Sequence, residues 1–96
     1  MTILLDNVGA DTVGDTFPFK GGPAIIFVRA DNYDGGTVSV EIASQNDTAV
    51  RFDVLTDGAF IIDGTVKIDY LANGSLLRAV LTGATSPENV FVDVLQ

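Results

Sequence analysis

Along most of this chain apolar residues recur at every second position, a period that leaves little room for anything but β structure. Val38, Val40 and Ile42 alternate with Thr37, Ser39 and Glu41, and Val90, Val92 and Val94 alternate with Phe91 and Asp93. Successive side chains of a strand point to opposite faces, so each such segment has one apolar face to bury. β-Branched residues dominate these segments, and ten glycines in 96 residues punctuate them into short pieces. A helical turn is conceivable only at Ser86-Pro87-Glu88-Asn89.

The expected elements follow from that punctuation. Residues 1–8 read as a short strand or arm and 9–15 as loop. Phe17-Pro18-Phe19 reads as an extended piece at a sheet edge, because Pro18 has no N–H to donate to a ladder. Lys20-Gly21-Gly22-Pro23 reads as a turn. Strands are expected over 24–33, 37–44 and 48–55, then a short piece at Ala59-Phe60-Ile61-Ile62, then 65–72, a segment after Asn73-Gly74, and 89–95.

A specific register suggests itself for the middle of the chain. Asp34-Gly35-Gly36 and Gln45-Asn46-Asp47 have the chemistry of three-residue hairpin loops. Folded that way, Val28, Ile42 and Val50 share one face, as do Ala30, Val40 and Phe52. Arg29, Glu41 and Arg51 then line up on the other face, an acid between two bases. Asn73-Gly74 favours a two-residue type I′ hairpin that sets Tyr70 against Leu77 on the inner face and Asp69 against Arg78 outside.

The fold expected from this is all-β, a small antiparallel β-sandwich or jelly-roll-like barrel of about seven or eight short strands. Residues 1–20 form an N-terminal strand or arm and loop, and 21–96 a single β-sandwich domain, with meander connections in the middle.

Composition excludes several functions. Cysteine and histidine are absent, which removes disulfides, thiolate and histidine-based catalysis, and the usual zinc sites. Five Lys and Arg residues, scattered among thirteen Asp and Glu, make no basic stripe, so nucleic acid and anionic membrane surfaces are not expected partners. No apolar run approaches the roughly 20 residues that span a bilayer. Met1-Thr2-Ile3-Leu4-Leu5 lacks a preceding basic residue and is cut by Asp6, unlike a signal peptide.

Residues with possible chemistry mostly have plainer roles. Asp31, Asp34 and Asp47 invite a calcium reading, but Asp31-Asn32-Tyr33-Asp34-Gly35-Gly36 lacks the ligand order of a dedicated loop, and Asp and Asn are ordinary turn formers. Ser39, Ser44, Ser75 and Ser86 have no histidine to activate them, and nothing supports a pairing with Lys20 or Lys67. No catalytic, cofactor-binding or metal-binding residues are assigned. The aromatics Phe17, Phe19, Phe60 and Phe91 are more suggestive. Phe91 lies between Val90 and Val92 and so faces away from their side, and Leu71 and Leu76 pair on the outer face of the expected hairpin. Phe17, Phe19, Leu71, Leu76 and Phe91 are therefore the candidate subunit contacts, on a sheet apolar on both sides.

From Gly21 to Leu95 the chain resembles small virion proteins of tailed bacteriophages. Gly21-Gly22 precedes an Ile/Val strand. Gly35-Gly36-Thr37-Val38-Ser39-Val40-Glu41 is similar to their Gly-Gly-x-Val-x-Leu strand. Asp47 then Phe52-Asp53-Val54 stands for an Asp-led turn and aromatic-x-Val strand, and Leu77-Arg78-Ala79-Val80-Leu81-Thr82-Gly83 for their Tyr-Arg-Ala-x-Val-Thr-Gly segment. Leu77 replaces the usual Tyr and Phe52 the usual Trp. The resemblance implies a capsid decoration (cement) protein, commonly a homotrimer, made in the host cytoplasm. It would sit on the outer surface of the virion head, bind the major capsid protein, and have no enzymatic activity or cofactor. Residues 1–20 would be an arm that orders on the capsid. The alternative is a tail-fibre or receptor-binding module for host glycans, a role that calls for an exposed aromatic beside Asp, Asn and Arg.

Overall fold

A computed structural model describes residues 2–96. It contains nine strands: β1 (Thr2–Val8), β2 (Thr12–Val13), β3 (Phe17–Phe19), β4 (Gly22–Arg29), β5 (Thr37–Ser44), β6 (Asp53–Phe60), β7 (Gly64–Leu71), β8 (Ser75–Thr82) and β9 (Val90–Leu95). They form two antiparallel sheets. One has the order β1-β9-β4-β7. The other has the order β2-β8-β5-β6, with β3 also paired to β8. β2 and β3 are one interrupted edge strand: Thr12 pairs Leu81 and Phe17 pairs Leu77, with Gly14 N–H donating to Ala79 O at 2.8 Å between them. With those two merged, four strands face four, and the order is that of a jelly roll.

The alternation places the core as expected. Ile26 and Val28 of β4 and Val90, Val92 and Val94 of β9 meet Val38 and Val40 of β5 and Leu77, Ala79 and Leu81 of β8 between the sheets. Within the expected N-terminal strand or arm and loop of 1–20, residues 2–8, 12–13 and 17–19 are strands of the two sheets, and Leu4, Leu5 and Phe19 belong to this core. Phe17-Pro18-Phe19 does lie at a sheet edge, as Pro18 requires.

The meander is overturned. β4 pairs with β7 and β9, and β5 with β6 and β8, so Arg29 and Glu41 are in opposite sheets. Asp34 and Gly35 do form a tight reversal with positive φ (45° and 80°), and Gly36 N–H reaches Tyr33 O at 2.9 Å. The chain ahead of that turn is held elsewhere: Asp31 N–H and Asn32 N–H donate to Glu88 O, and Glu88 N–H donates back to Asn32 O at 2.8 Å. The reversal thus carries the chain across the sandwich. β4 also ends at Arg29, before the expected residue 33.

β5 and β6 are the one sequential pair that is hydrogen-bonded as a hairpin, but in another register. Ile42 faces Asp53 where Val50 was expected, and Glu41 faces Val54 where Arg51 was expected. The cause is Asp47. Its carboxylate accepts Ala49 N–H (3.1 Å), Arg51 N–H (3.2 Å) and Arg51 Nε (2.9 Å), which winds 47–51 into a longer loop and delays the return strand to Asp53. The expected short strand at 59–62 is in part the end of β6, and Ile61 and Ile62 lie beyond it.

The Asn73-Gly74 hairpin is also overturned, because β7 and β8 belong to different sheets. Ser75 N–H donates to Ala72 O at 3.0 Å, and only Gly74 of the central pair has positive φ (92°). That is type II geometry, whose twist splays flanking strands instead of pairing them. A bulge adds a second correction: Ala24 faces Ile68 but Gly22 faces Leu71, so β7 carries one extra residue there. The bulge reverses the faces, leaving Leu71 1 % exposed and Tyr70 70 % exposed.

Candidate functional site

The fold directs two sheet faces outward, and both carry apolar side chains: Val54, facing Glu41 on the β2-β8-β5-β6 sheet, is 51 % exposed. Cross-strand partners share a face. On the β1-β9-β4-β7 sheet, Ile25 faces Leu95 and Lys67, Phe27 faces Asp93 and Thr65, Ile3 faces Asp93, and Arg29 faces Phe91. All alternate with the buried Ala24, Ile26 and Val28, so this set points away from the core. Ile25 and Leu95 are exposed, and Ile3, Phe27 and Phe91 are half-buried. In a chain of net charge −8, this face carries Arg29 and Lys67 among the acids Asp93 and Asp69, with Asp31 and Asp63 beside Arg29 at one end. Pro23, Ala24, Ile25, Ile68 and Leu95 line a shallow groove of about 340 Å³ at one end of it, with Lys67 and Asp69 on the rim.

The other outward face carries an ion pair. Arg78 Nε lies 2.7 Å from Glu41 Oε1, on the adjacent strands β8 and β5. The Arg78 guanidinium stacks over Phe52, 3.8 Å from the ring centroid. Glu41 thus has an arginine partner, but from β8. Of the two arginines expected beside it, Arg51 binds Asp47 and Arg29 lies over Phe27 at 5.4 Å. Asp69, expected opposite Arg78, is in the other sheet.

The five candidate contact residues separate accordingly. Phe91 faces outward on the apolar sheet, and Leu76 is half-buried on the outer side of β8, opposite Pro18 and Ala43. Phe19 and Leu71 are in the core, Phe17 packs partly against it, and Leu71 and Leu76 are not paired. Ile3, Ile25, Phe27 and Leu95 share this face without a sequence pattern that marks them as contacts. Ile25 and Phe27 alternate with core residues as Phe91 does, but in the apolar run Ala24–Val28 neither face is marked by polar residues.

At the other end of the same sheet, Asn7, Arg29, Asp31, Asp63, Asn89 and Phe91 line a concavity of about 460 Å³. It joins the types a saccharide site uses: carboxylates and amides for hydroxyls, and an aromatic surface. Asn89 Nδ2 donates to Asp31 Oδ2 at 2.6 Å, and Asp63 Oδ1 accepts Ala30 N–H (3.0 Å) and Tyr33 O–H (2.8 Å). The acids of the calcium reading do not converge. Asp34 binds Ser86 N–H, Asp47 belongs to the β5–β6 loop, and no group of three possible metal ligands occurs among the described residues.

The Tyr33–Asp63 bond shifts both groups. Burial, then the bond to Asp63, pushes the Tyr33 phenol well above its usual value. The Tyr33 hydroxyl, then Ala30 N–H, holds Asp63 below the ordinary carboxylate range. Arg51 and the loop N–H groups do the same for Asp47. A carboxyl whose pKa is lowered by folding stabilises the native state above its unfolded value, about 3.9, and loses that contribution as pH falls through the folded value. Acidification below about pH 4 is therefore expected to lower the melting temperature. In an NMR titration the Asp63 carboxyl should have a midpoint below the ordinary range, and Tyr33→Phe should move it upward. An unmoved midpoint would contradict the role of the hydroxyl.

Compared with protein-family models, curated proteins and solved structures, the chain matches none.

Proposed function

We propose that this protein is a non-enzymatic structural component of a virion, a capsid decoration protein that self-associates and clamps capsid subunits from outside the head. The observation that carries this reading is the outward apolar set Ile3, Ile25, Phe27, Phe91 and Leu95 on the β1-β9-β4-β7 sheet. An apolar face without a cluster of basic residues suits contact with protein better than with nucleic acid or an anionic membrane. The ordered sequence resemblance from Gly21 to Leu95 supplies the kind of partner, the major capsid protein. A homo-oligomer adds avidity, because several modest contacts to neighbouring subunits act together.

The concavity beside Phe91 supports a second reading, a module that recognises host glycans. One experiment separates the two. Purified protein is sedimented with heads of the virus that encodes it, with and without free saccharides. Saturable binding at fixed stoichiometry, with greater heat resistance of the heads, is expected for decoration. Binding to host cells that free saccharide displaces, with none to heads, would replace decoration by glycan recognition.

A further inference from the structure

At the turn between β6 and β7, Ile61 and Ile62 are 68 % and 71 % exposed, the two most exposed aliphatic side chains among the described residues. The turn is held on two sides. Phe60 packs partly against the core, and its ring lies so close to Gly64 that an added Cβ there would stand 2.7 Å from Cε2. Asp63, next in the chain, is bonded to Ala30 N–H and Tyr33 O–H. A turn fixed in this way offers two isoleucines as a preorganised anchor, with little ordering entropy left to lose on binding.

The apolar groove lined by Pro23, Ala24, Ile25, Ile68 and Leu95 is at the other end of the same sheet. Gly64 pairs with Val28, whereas Lys67 pairs with Ile25, and three residues of extended chain, about 10 Å, separate those positions along β7. Ile61 and Ile62 extend the chain past the Gly64 end, so a molecule's own turn does not reach its own groove. A specific pairing is open: of the two charged residues on the groove rim, Lys67 and Asp69, Lys67 has no carboxylate within ion-pair distance among the described residues, and Asp63 follows the two isoleucines with Oδ2 unused.

We propose that the Ile61–Ile62 turn of one copy inserts into the Pro23/Ile25/Ile68/Leu95 groove of the next, with Asp63 beside the next copy's Lys67. Knob and groove are different surfaces, so the contact is head-to-tail, and such contacts close into a ring where the rotation per copy allows. The inference rests on the self-associating part of the proposed function and specifies how that association is built. The two isoleucines are the anchors, and the adjoining Phe27 and Leu95 surface widens the contact.

The test uses two variants of the full chain. Ile61→Lys/Ile62→Lys destroys the knob, sets cations against Lys67 and keeps the groove. Leu95→Lys blocks the groove and keeps the knob. Circular dichroism checks that each is folded, and Ile61→Ser/Ile62→Ser and Leu95→Ser replace them otherwise. In sedimentation velocity the wild type should assemble at up to about 100 µM, and each variant should associate at least ~10-fold more weakly. An equimolar mixture of the two variants should form one-to-one pairs, since each supplies the surface the other lacks. A monomeric wild type, variants that assemble like it, or a mixture no more associated than its components would each overturn the proposal. Head binding is scored separately: a monomer that still decorates heads removes this inference alone, and an assembly that ignores heads removes the decoration reading alone.

Discussion

Leu77→Ala is expected to lower the free energy of unfolding by about 2–5 kcal/mol, the range for truncating a buried leucine and leaving a cavity. Leu77 is fully buried on β8, an inner strand of its sheet, between Phe17 of β3 and Ile42 of β5. The two sheets face each other across it, so collapse around the missing atoms would have to move both. A domain of this size has roughly 5–15 kcal/mol in total, so the loss is a large fraction of it. Leu76→Ala, one residue away on the opposite face of the same strand, should cost under about 1 kcal/mol, since surface changes are usually small. Equilibrium urea unfolding of both variants measures the difference. Equal losses would mean that β8 does not alternate between core and surface.

Gly14→Ala is expected to be nearly as damaging, for a steric reason. Gly14 lies between β2 and β3, where β1 of one sheet and β8 of the other come together over the interrupted edge strand. A Cβ there would stand 2.6 Å from Leu4 O, at a bulge in β1, and 2.8 Å from Ala79 O, in the β5–β8 ladder, both of them backbone atoms. Neither can rotate aside as a side-chain tip would, which places the cost near the upper end of the roughly 1–3 kcal/mol typical of overpacking. In a domain this small, that lowers the melting temperature by about 10–20 °C. Gly9→Ala is the control: its nearest neighbour would be Pro87 O at 3.7 Å, ordinary contact, and little change is expected. A melting temperature unchanged by Gly14→Ala would contradict the close approach of the sheets at that point.

These two sites show what the sequence could reveal. The alternation at Val38–Val40–Ile42 and Val90–Val92–Val94 marks inner and outer faces, and with it the all-β class and most of the core. It does not name a strand's neighbour, because any strand with one apolar face can sit beside any other. Neighbours were inferred from turns, and three turns acted otherwise. Asp34-Gly35 reverses the chain between sheets because residues 31–32 are tied to Glu88. Asn73-Gly74 takes type II geometry. Asp47 gathers Ala49 and Arg51 into a longer loop and so shifts β6. The Arg29–Glu41–Arg51 alignment was a coincidence of spacing: the partner of Glu41 is Arg78, 37 residues away in sequence. The outward aromatic Phe91 was legible because Val90 and Val92 frame it. Ile25 and Phe27 were not, since pairing with β9 alone shows which side of β4 joins the Phe91 surface.

The account depends on β4 lying between β7 and β9, because that neighbourhood builds the apolar face and its groove. The chain has no cysteine, so introduced pairs report proximity without interference. Facing residues of antiparallel strands have Cα atoms about 4.5–5.5 Å apart, within the range a disulfide spans. Under dilute oxidation, Ile25→Cys/Leu95→Cys should close an intramolecular bond detectable as a loss of two hydrogens by mass spectrometry. Arg29→Cys/Glu41→Cys, whose partners lie in opposite sheets, should remain free thiols. The reverse outcome, with 29 joined to 41 and 25 free of 95, would contradict the jelly-roll pairing and dismantle the surface proposed to dock.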